Sequence, residues 1–173
     1  MLYLYNNDAL VERLMQKYRV IAVGKLKEKA LIALVGEYVK RLGRYCTLDI
    51  IELADESIPA GESEAGVRKS LHIEAGRIFE KLRAGTYTIA LDMSGKAPDS
   101  AGFAEMLQSL AIRGLEIEII IGGSHGLHPE VLERADYIMS MSNLTFPHQL
   151  ARLIILEQLY RAHKIMHNET YHK

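Results

Sequence analysis

Short β-branched runs alternate with longer stretches of helical spacing along this chain. Arg19–Val23 (RVIAV) is a compact apolar run ended by Gly24 and predicts a strand. From Lys27 to Leu42 the apolar positions Leu31, Leu34, Val35, Tyr38 and Leu42 recur at helical spacing, with Gly43 where a helix stop belongs. Cys46–Leu53 reads as a second strand, and Ala54–Gly61, with Pro59 and Gly61, as a loop. Glu62–Leu82 predicts a polar helix with a thin stripe of Val67, Leu71, Ile78 and Leu82. Thr86–Leu91 predicts a third strand, Asp92–Asp99 a turn, and Ser100 onward a helix with Phe103, Leu107, Leu110 and Ala111 on one side, closed by Gly114. Ile117–Ile121 is a fourth strand running into Gly122–Gly126 (GGSHG), after which Pro129 opens a short helix. Tyr137–Met141 predicts a fifth strand, and a last long helix runs from near Pro147 to about Met166.

Strands alternating with helices predict an α/β fold: a mostly parallel sheet with helices on both faces. Ligands of such folds gather beyond the carboxyl ends of the strands. The loops after Leu91, Ile121 and Met141 are therefore where a site is expected.

Composition narrows the class. At 173 residues, 49% hydrophobic and 25% charged, the chain suits one folded domain with its own core. No apolar stretch is long enough to span a bilayer, and Met1–Lys17 has no secretory-signal pattern. Cys46 is the only cysteine, so no intrachain disulfide can form. These features predict a cytoplasmic protein with no membrane partner. A net charge of −1 lacks the basic excess of a general nucleic-acid binder, although a local basic patch can serve a specific RNA enzyme.

Two segments carry candidate chemistry. In Ile119–Gly126 (IIIGGSHG) an apolar strand meets paired glycines, which let a ligand approach the backbone; a tight strand–helix turn is the plainer reading. The spacing fits neither a Walker loop nor GxGxxG. In Met139–Ala162, Ser142, Asn143 and Thr145 offer small polar groups while Met141, Leu144 and Phe146 offer apolar surface. That mixture suits a flat aromatic ring gripped by main-chain hydrogen bonds, and suits equally a helix-entry loop. The following helix is apolar nearly all round, which predicts burial. Arg152, Glu157 and Arg161 interrupt it. Arg152 and Glu157 are poorly spaced as helical partners, so either a substrate or another chain is their partner, or Glu157 pairs locally with Arg161. His125, His128 and His148 lack a zinc motif, and no metal is expected. His163 and His167, one turn apart near a helix end, are expected to be solvated. The tail Thr170–Lys173 is either loose or, with its stacking and phosphate-pairing groups, suited to an extruded base.

Ala22–Lys29 (AVGKLKEK), Leu91–Lys96 (LDMSGK), Ile121–His128 (IGGSHGLH), Leu144–Arg152 (LTFPHQLAR), Glu157–Ile165 (EQLYRAHKI) and the terminal YHK closely resemble the RlmH family of SPOUT-class ribosomal RNA large-subunit methyltransferases, from about Tyr18 to Lys173. The resemblance implies a SPOUT-type fold with a C-terminal trefoil knot, a feature no sequence pattern predicts by itself. It implies S-adenosylmethionine as cofactor, held by Leu91, Gly122, Met141, Ser142, Asn143, Leu144, Thr145 and Phe146. It implies a homodimer with its active site at the subunit interface, and methylation at N3 of a pseudouridine in 23S rRNA on assembled ribosomes. Within that reading His148 and His172 are the candidates for proton handling, Arg152 for steadying uracil-like oxygens or a phosphate, Tyr171 for stacking, and Lys173 for pairing with phosphate. Family members begin just before the first strand, so residues 1–17 are expected to be an extension or a misassigned start, and 18–173 a single SPOUT domain. The rivals are a SPOUT enzyme acting on transfer RNA or another rRNA site, a non-catalytic nucleotide- or anion-binding module, and a metal-dependent hydrolase built on His125, His128 and His148.

Overall fold

A computed structural model of the protein describes residues 15–56 and 63–171. Expectations that fall on 1–14, 57–62 and 172–173, His172 and Lys173 among them, lie outside the described residues. The chain runs β1 (Gln16–Val23), α1 (Lys29–Leu42), β2 (Cys46–Leu53), α2 (Glu64–Phe79), β3 (Tyr87–Lys96), α3 (Ser100–Ile112), β4 (Ile117–Ile121), α4 (Pro129–Arg134), β5 (Tyr137–Met139) and α5 (His148–Met166). Residues 16 and 17, which the sequence reading set before the domain, belong to the first strand.

The five strands pair in the order β2-β1-β4-β3-β5, and every pairing is parallel. Alternate residues of each inner strand serve two separate cores. Tyr18, Val20 and Ala22 of β1 face α1, α3 and α5, together with Ile117, Ile119 and Ile121 of β4. Ile21 and Val23 face α2 and α4, together with Ile120, Ala75, Ile78 and Val131. The expectation of helices on both faces is met: α1, α3 and α5 cover one face, α2 and α4 the other. Among the described residues no helix is long and apolar enough to cross a membrane.

Local differences from the sequence reading have physical causes. Asp92–Asp99 was expected to be a turn, yet β3 runs on to Lys96. Leu91 and Lys96 both lie opposite Met139, so residues 92–95 loop out of the ladder as a bulge. The Asp92 carboxylate holds that loop, accepting from Ser94 N at 2.9 Å and Ser94 Oγ at 2.6 Å. β5 ends at Met139 rather than Met141, because Ser140 Oγ turns to donate to the Ser142 carbonyl at 2.9 Å. α3 starts at Ser100 as expected, its N-terminus capped by Asp99, whose Oδ1 accepts from Gly102 N at 2.7 Å. Its buried face is Phe103, Ala104, Leu107 and Leu110, whereas Ala111 is exposed. α2 is shorter than expected, and its buried face is Ser70, Glu74, Ala75 and Ile78 rather than a stripe through Val67 and Leu71. α2 is held by polar as well as apolar contacts: Glu74 accepts from Glu56 N, just beyond β2, at 2.9 Å.

Two buried polar groups hold the sheet in register with its surroundings. Arg19 and Glu118 face each other across β1 and β4 and form an ion pair. Arg19 also donates to the Lys81 carbonyl at 2.8 Å, and Glu118, fully buried, accepts from Thr86 Oγ1 at 2.9 Å. On the other face His163 of α5 is buried rather than solvated, its ring stacked on Tyr45 at 5.5 Å and edge-on to Tyr18 at 5.6 Å. Burial pushes its imidazole down to about 4, with His167 adding to the effect.

Removing one partner of a buried ion pair strands the other charge. Glu118→Ala is expected to lower the unfolding free energy by about 3–5 kcal/mol, read from urea unfolding. His163 binds its proton more weakly folded, near 4, than unfolded, near 6.5. Its neutral burial therefore stabilises fully above about 6.5 and loses effect as pH falls towards 4. Unfolding curves across that window should show a steeper acid loss for the native chain than for His163→Phe.

Candidate active site

The carboxyl ends of β3, β4 and β5 open into one cavity of about 800 Å³. Leu91, Asp92 and Met93 line it from β3, Ile121–Gly126 from β4, and Met139–Ser142 with Leu144–Pro147 from β5. The first turn of α5 closes it with His148 and Ala151. A cavity of this size suits a cofactor-sized ligand. Parallel strands point their ends the same way, so three loops distant in sequence meet here because of the strand order.

Each loop is shaped by its own sequence. In the glycine turn Gly126 N donates to the Gly123 carbonyl at 3.2 Å, which folds the turn back on itself. A Cβ on Gly122 would collide with the Gly126 carbonyl, so no larger residue fits there. In the loop after β5, Leu144 N donates to Ser142 Oγ at 3.0 Å. Thr145 Oγ1 contacts Met93 Sδ at 3.3 Å, which joins this loop to the one after β3. The walls are largely apolar: Leu91, Met139, Met141 and Phe146 lie inside, while Met93 (60% exposed) and Leu144 (70% exposed) stand at the rim. Asp92 supplies a carboxylate, a counter-charge for a cationic ligand.

His148 is the titratable group at the junction of cavity and core. Its ring rests on Gly24, the left-handed residue (φ +86°) that ends β1; a Cβ there would come within 3.1 Å of Nε2. Burial lowers the affinity of His148 for a proton, and Arg152 and Lys27 lower it further, against an opposing pull from Asp55. These effects bias the imidazole towards its neutral form, the form able to accept a proton.

Of the residues singled out from sequence, Leu91, Gly122, Met141, Ser142, Leu144, Thr145, Phe146 and His148 line the cavity, and Asn143 does not. Asn143 is exposed. Arg152 was expected to find its partner in a substrate or another chain. Instead it is 1% exposed, pairs with Glu52 and donates to the Gly24 carbonyl at 2.7 Å. Glu157 takes the local alternative, binding Arg161 at 2.5 Å. Tyr171 is held away from this chain's own cavity: its hydroxyl donates to Glu157 at 3.2 Å and its ring meets Tyr160 edge-on at 5.0 Å. Glu157 is nine residues beyond His148, about 14 Å along the helix. Residues that sequence reasoning missed are Asp92, Gly24 and Glu52. The stop glycine after Val23 was a visible signal for Gly24; Glu52 showed only as a polar position within an apolar strand.

His128 does not join His125 and His148. It lies with His72 and Glu130, their ligand atoms within 4.8 Å of one another, and its Nδ1 accepts from Glu130 N at 3.3 Å as the cap of α4. The hydrolase reading therefore loses its ligand set.

Gly122→Ala is expected to weaken binding of S-adenosylmethionine, the cofactor that the motif resemblance implies, on the order of tenfold or more in calorimetry, because the overpacking of about 1–3 kcal/mol falls on a turn that lines the cavity. Unchanged affinity would show that the turn does not contact the ligand.

Comparison with known proteins agrees with this arrangement. The family described as "Predicted SPOUT methyltransferase" matches residues 16–172. The Ribosomal RNA large subunit methyltransferase H of Bifidobacterium adolescentis is 48% identical over 158 residues, 91% of this chain and 99% of that protein. The protein of the same name from Clostridium novyi is 48% identical over 155 residues, 89% of this chain and 98% of its own. Among solved structures, a probable methyltransferase from Bordetella pertussis Tohama I shares the fold with a TM-score of 0.58 at 15% identity, over 90% of this chain and 99% of that one. With a match that spans every described strand and helix, and with the cavity loops inside it, the chain belongs to the SPOUT methyltransferase family.

Proposed function

We propose that this protein methylates N3 of a pseudouridine in large-subunit ribosomal RNA, using S-adenosylmethionine, in the cytoplasm and on assembled ribosomes. The observation that carries the reading is a cofactor-sized cavity with a half-buried histidine, His148, on its wall, in a chain 48% identical to relatives named as large-subunit rRNA methyltransferases. The residues present fit the cofactor. The apolar slot between Leu91, Met141 and Phe146 accepts a flat ring, the bare backbone of Gly122 admits close approach, and Asp92 offers a counter-charge to a sulfonium or ammonium.

The bound cofactor supplies an electrophilic methyl group. The chain's own part is to place N3 of the base in line with that group, a contribution that positioning alone can make large. N3 must also lose its proton, and in this reading His148, which lines the cavity, takes it. The proton-poor state of His148, set by burial and by Arg152, suits it to that role.

The active unit is a homodimer in this reading. Tyr171 is held at Glu157, about 14 Å along the helix from His148, and in this reading its ring stacks in the cavity of a second subunit, with His172 and Lys173 as the candidate groups to meet RNA. Leu150, Leu153 and Ile154 on α5 are only partly covered, leaving apolar surface for that subunit. The single SPOUT domain, expected from sequence over 18–173, takes in the whole of β1 from Gln16, and its segment after β4 is knotted. Support comes from α5, which leaves the edge strand β5 and returns across the sheet to pack between α1 and α3.

Ribosomes, free 23S rRNA and transfer RNA from a strain lacking the gene would be incubated with the protein and tritiated cofactor, and the labelled nucleoside mapped by mass. Label at N3 of a pseudouridine in ribosomes is the expected result. Label in transfer RNA alone would overturn the proposal.

A further inference from the structure

We propose that Glu52 and Arg152 act together as a buried positioning pair for His148, and that Arg152 is not a substrate contact. The inference rests on the methyl-transfer reading above and gives two residues of the same site a defined task.

Arg152 follows His148 by one helical turn, on the side of α5 that faces the core. One guanidinium nitrogen pairs with Glu52 at the end of β2, and the other donates to the Gly24 carbonyl at 2.7 Å. Its Nε is buried and has no partner among the described residues. Nothing of the side chain borders the cavity. Glu52 uses the same carboxylate oxygen to accept from Leu26 N at 3.0 Å. Lys27 N donates to Gln149 Oε1 at 3.3 Å, and Gly24 N donates to the Leu53 carbonyl at 2.9 Å. The loop of residues 24–27 is thus bound to the end of β2 on one side and to the first turn of α5 on the other. His148 is seated on that loop, against the bare Cα of Gly24.

The pair has both a geometric and an electrostatic consequence. Geometrically, the guanidinium joins the helix that carries His148 to the glycine on which the ring rests. Electrostatically, four charged groups act around His148. Arg152 from α5 and Lys27 from the loop disfavour its protonation, Asp55 beyond β2 favours it, and Glu52 balances the guanidinium from the side of β2. A lone buried guanidinium would be costly, so the carboxylate is what allows the positive charge to stay beside the imidazole. A substrate-binding arginine would instead present free N–H groups to the cavity.

The test uses the full chain carrying Arg152→Gln, Glu52→Gln, or both. The His148 imidazole is titrated by nitrogen NMR, cofactor affinity is measured by calorimetry, and kcat is measured on ribosomes. Arg152→Gln is expected to shift the His148 titration upward. Each single change is expected to lower kcat by up to about a hundredfold while cofactor affinity stays within about twofold, and the double variant should be no worse than the poorer single. An unmoved His148 titration in Arg152→Gln, or losses that multiply in the double variant, would overturn the pair. Should Arg152→Gln fail to fold, Glu52→Gln decides: reduced kcat with intact cofactor binding supports the pair, and native kcat overturns it. The titration involves no methyl transfer. A shifted His148 in a protein whose native form methylates no rRNA would therefore sink the functional reading and leave the pair standing.

Discussion

Much of this structure follows from the burial of β4 on both faces. Ile117–Ile121 is hydrogen-bonded to β1 on one side and β3 on the other, and all five residues are buried. A strand in that position cannot show a polar face to water, so helices must cover both sides of the sheet. The residues divide accordingly, Ile117, Ile119 and Ile121 towards one core and Ile120 towards the other. Glu118 is tolerated because Arg19, Thr86 and the Arg83 amide satisfy its carboxylate. A central strand also has a central end. The chain leaves β4 at Gly122, between the strands whose loops complete the cavity, so the constraint that builds the core also places the glycine turn at the middle of the site.

α5 links the two. Its first turn lines the cavity through His148 and Ala151, and the rest fills the space between α1 and α3 with Ile155, Leu156, Leu159 and Ala162. The polar groups on its inner side mark the two zones. Arg152, near the site, has a carboxylate and a carbonyl as partners. His163, about three turns further on, has no hydrogen-bond partner for either ring nitrogen among the described residues and is held neutral between Tyr18 and Tyr45. The charge near the cavity is thus preserved and balanced, whereas the ring deeper under the helix is kept uncharged. That difference separates an amino end that lines the cavity from a carboxyl half that packs into the core.

Local pattern was enough for the order and type of the elements, though not for every buried face: α2 buries Ser70 and Glu74 rather than Val67 and Leu71. Cys46–Leu53 and Ile117–Ile121 were delimited to the residue, because short β-branched runs between polar breaks have few other ways to fold. The placement of a site beyond Leu91 and Ile121 and in the loop before α5 also followed from chain order alone, since parallel strands alternating with helices end on one side. The motif resemblance named the family to which the chain proved to belong.

Long-range geometry decided the rest. The partner of Arg152 is Glu52, a hundred residues away in the chain, and no spacing rule connects them. Whether Asn143 faces the cavity or the outside depends on how Ser140 and Ser142 fold their loop, and Tyr171 is set by Glu157 and Tyr160 rather than by its place in the tail. His163 looked like a solvated residue near a frayed end until α5 was seen to lie across Tyr18 and Tyr45. In each case sequence specifies which groups a residue carries and the face of its own helix or strand. Which distant group meets it is specified by packing, because burial and hydrogen-bond satisfaction are settled by whole elements coming together.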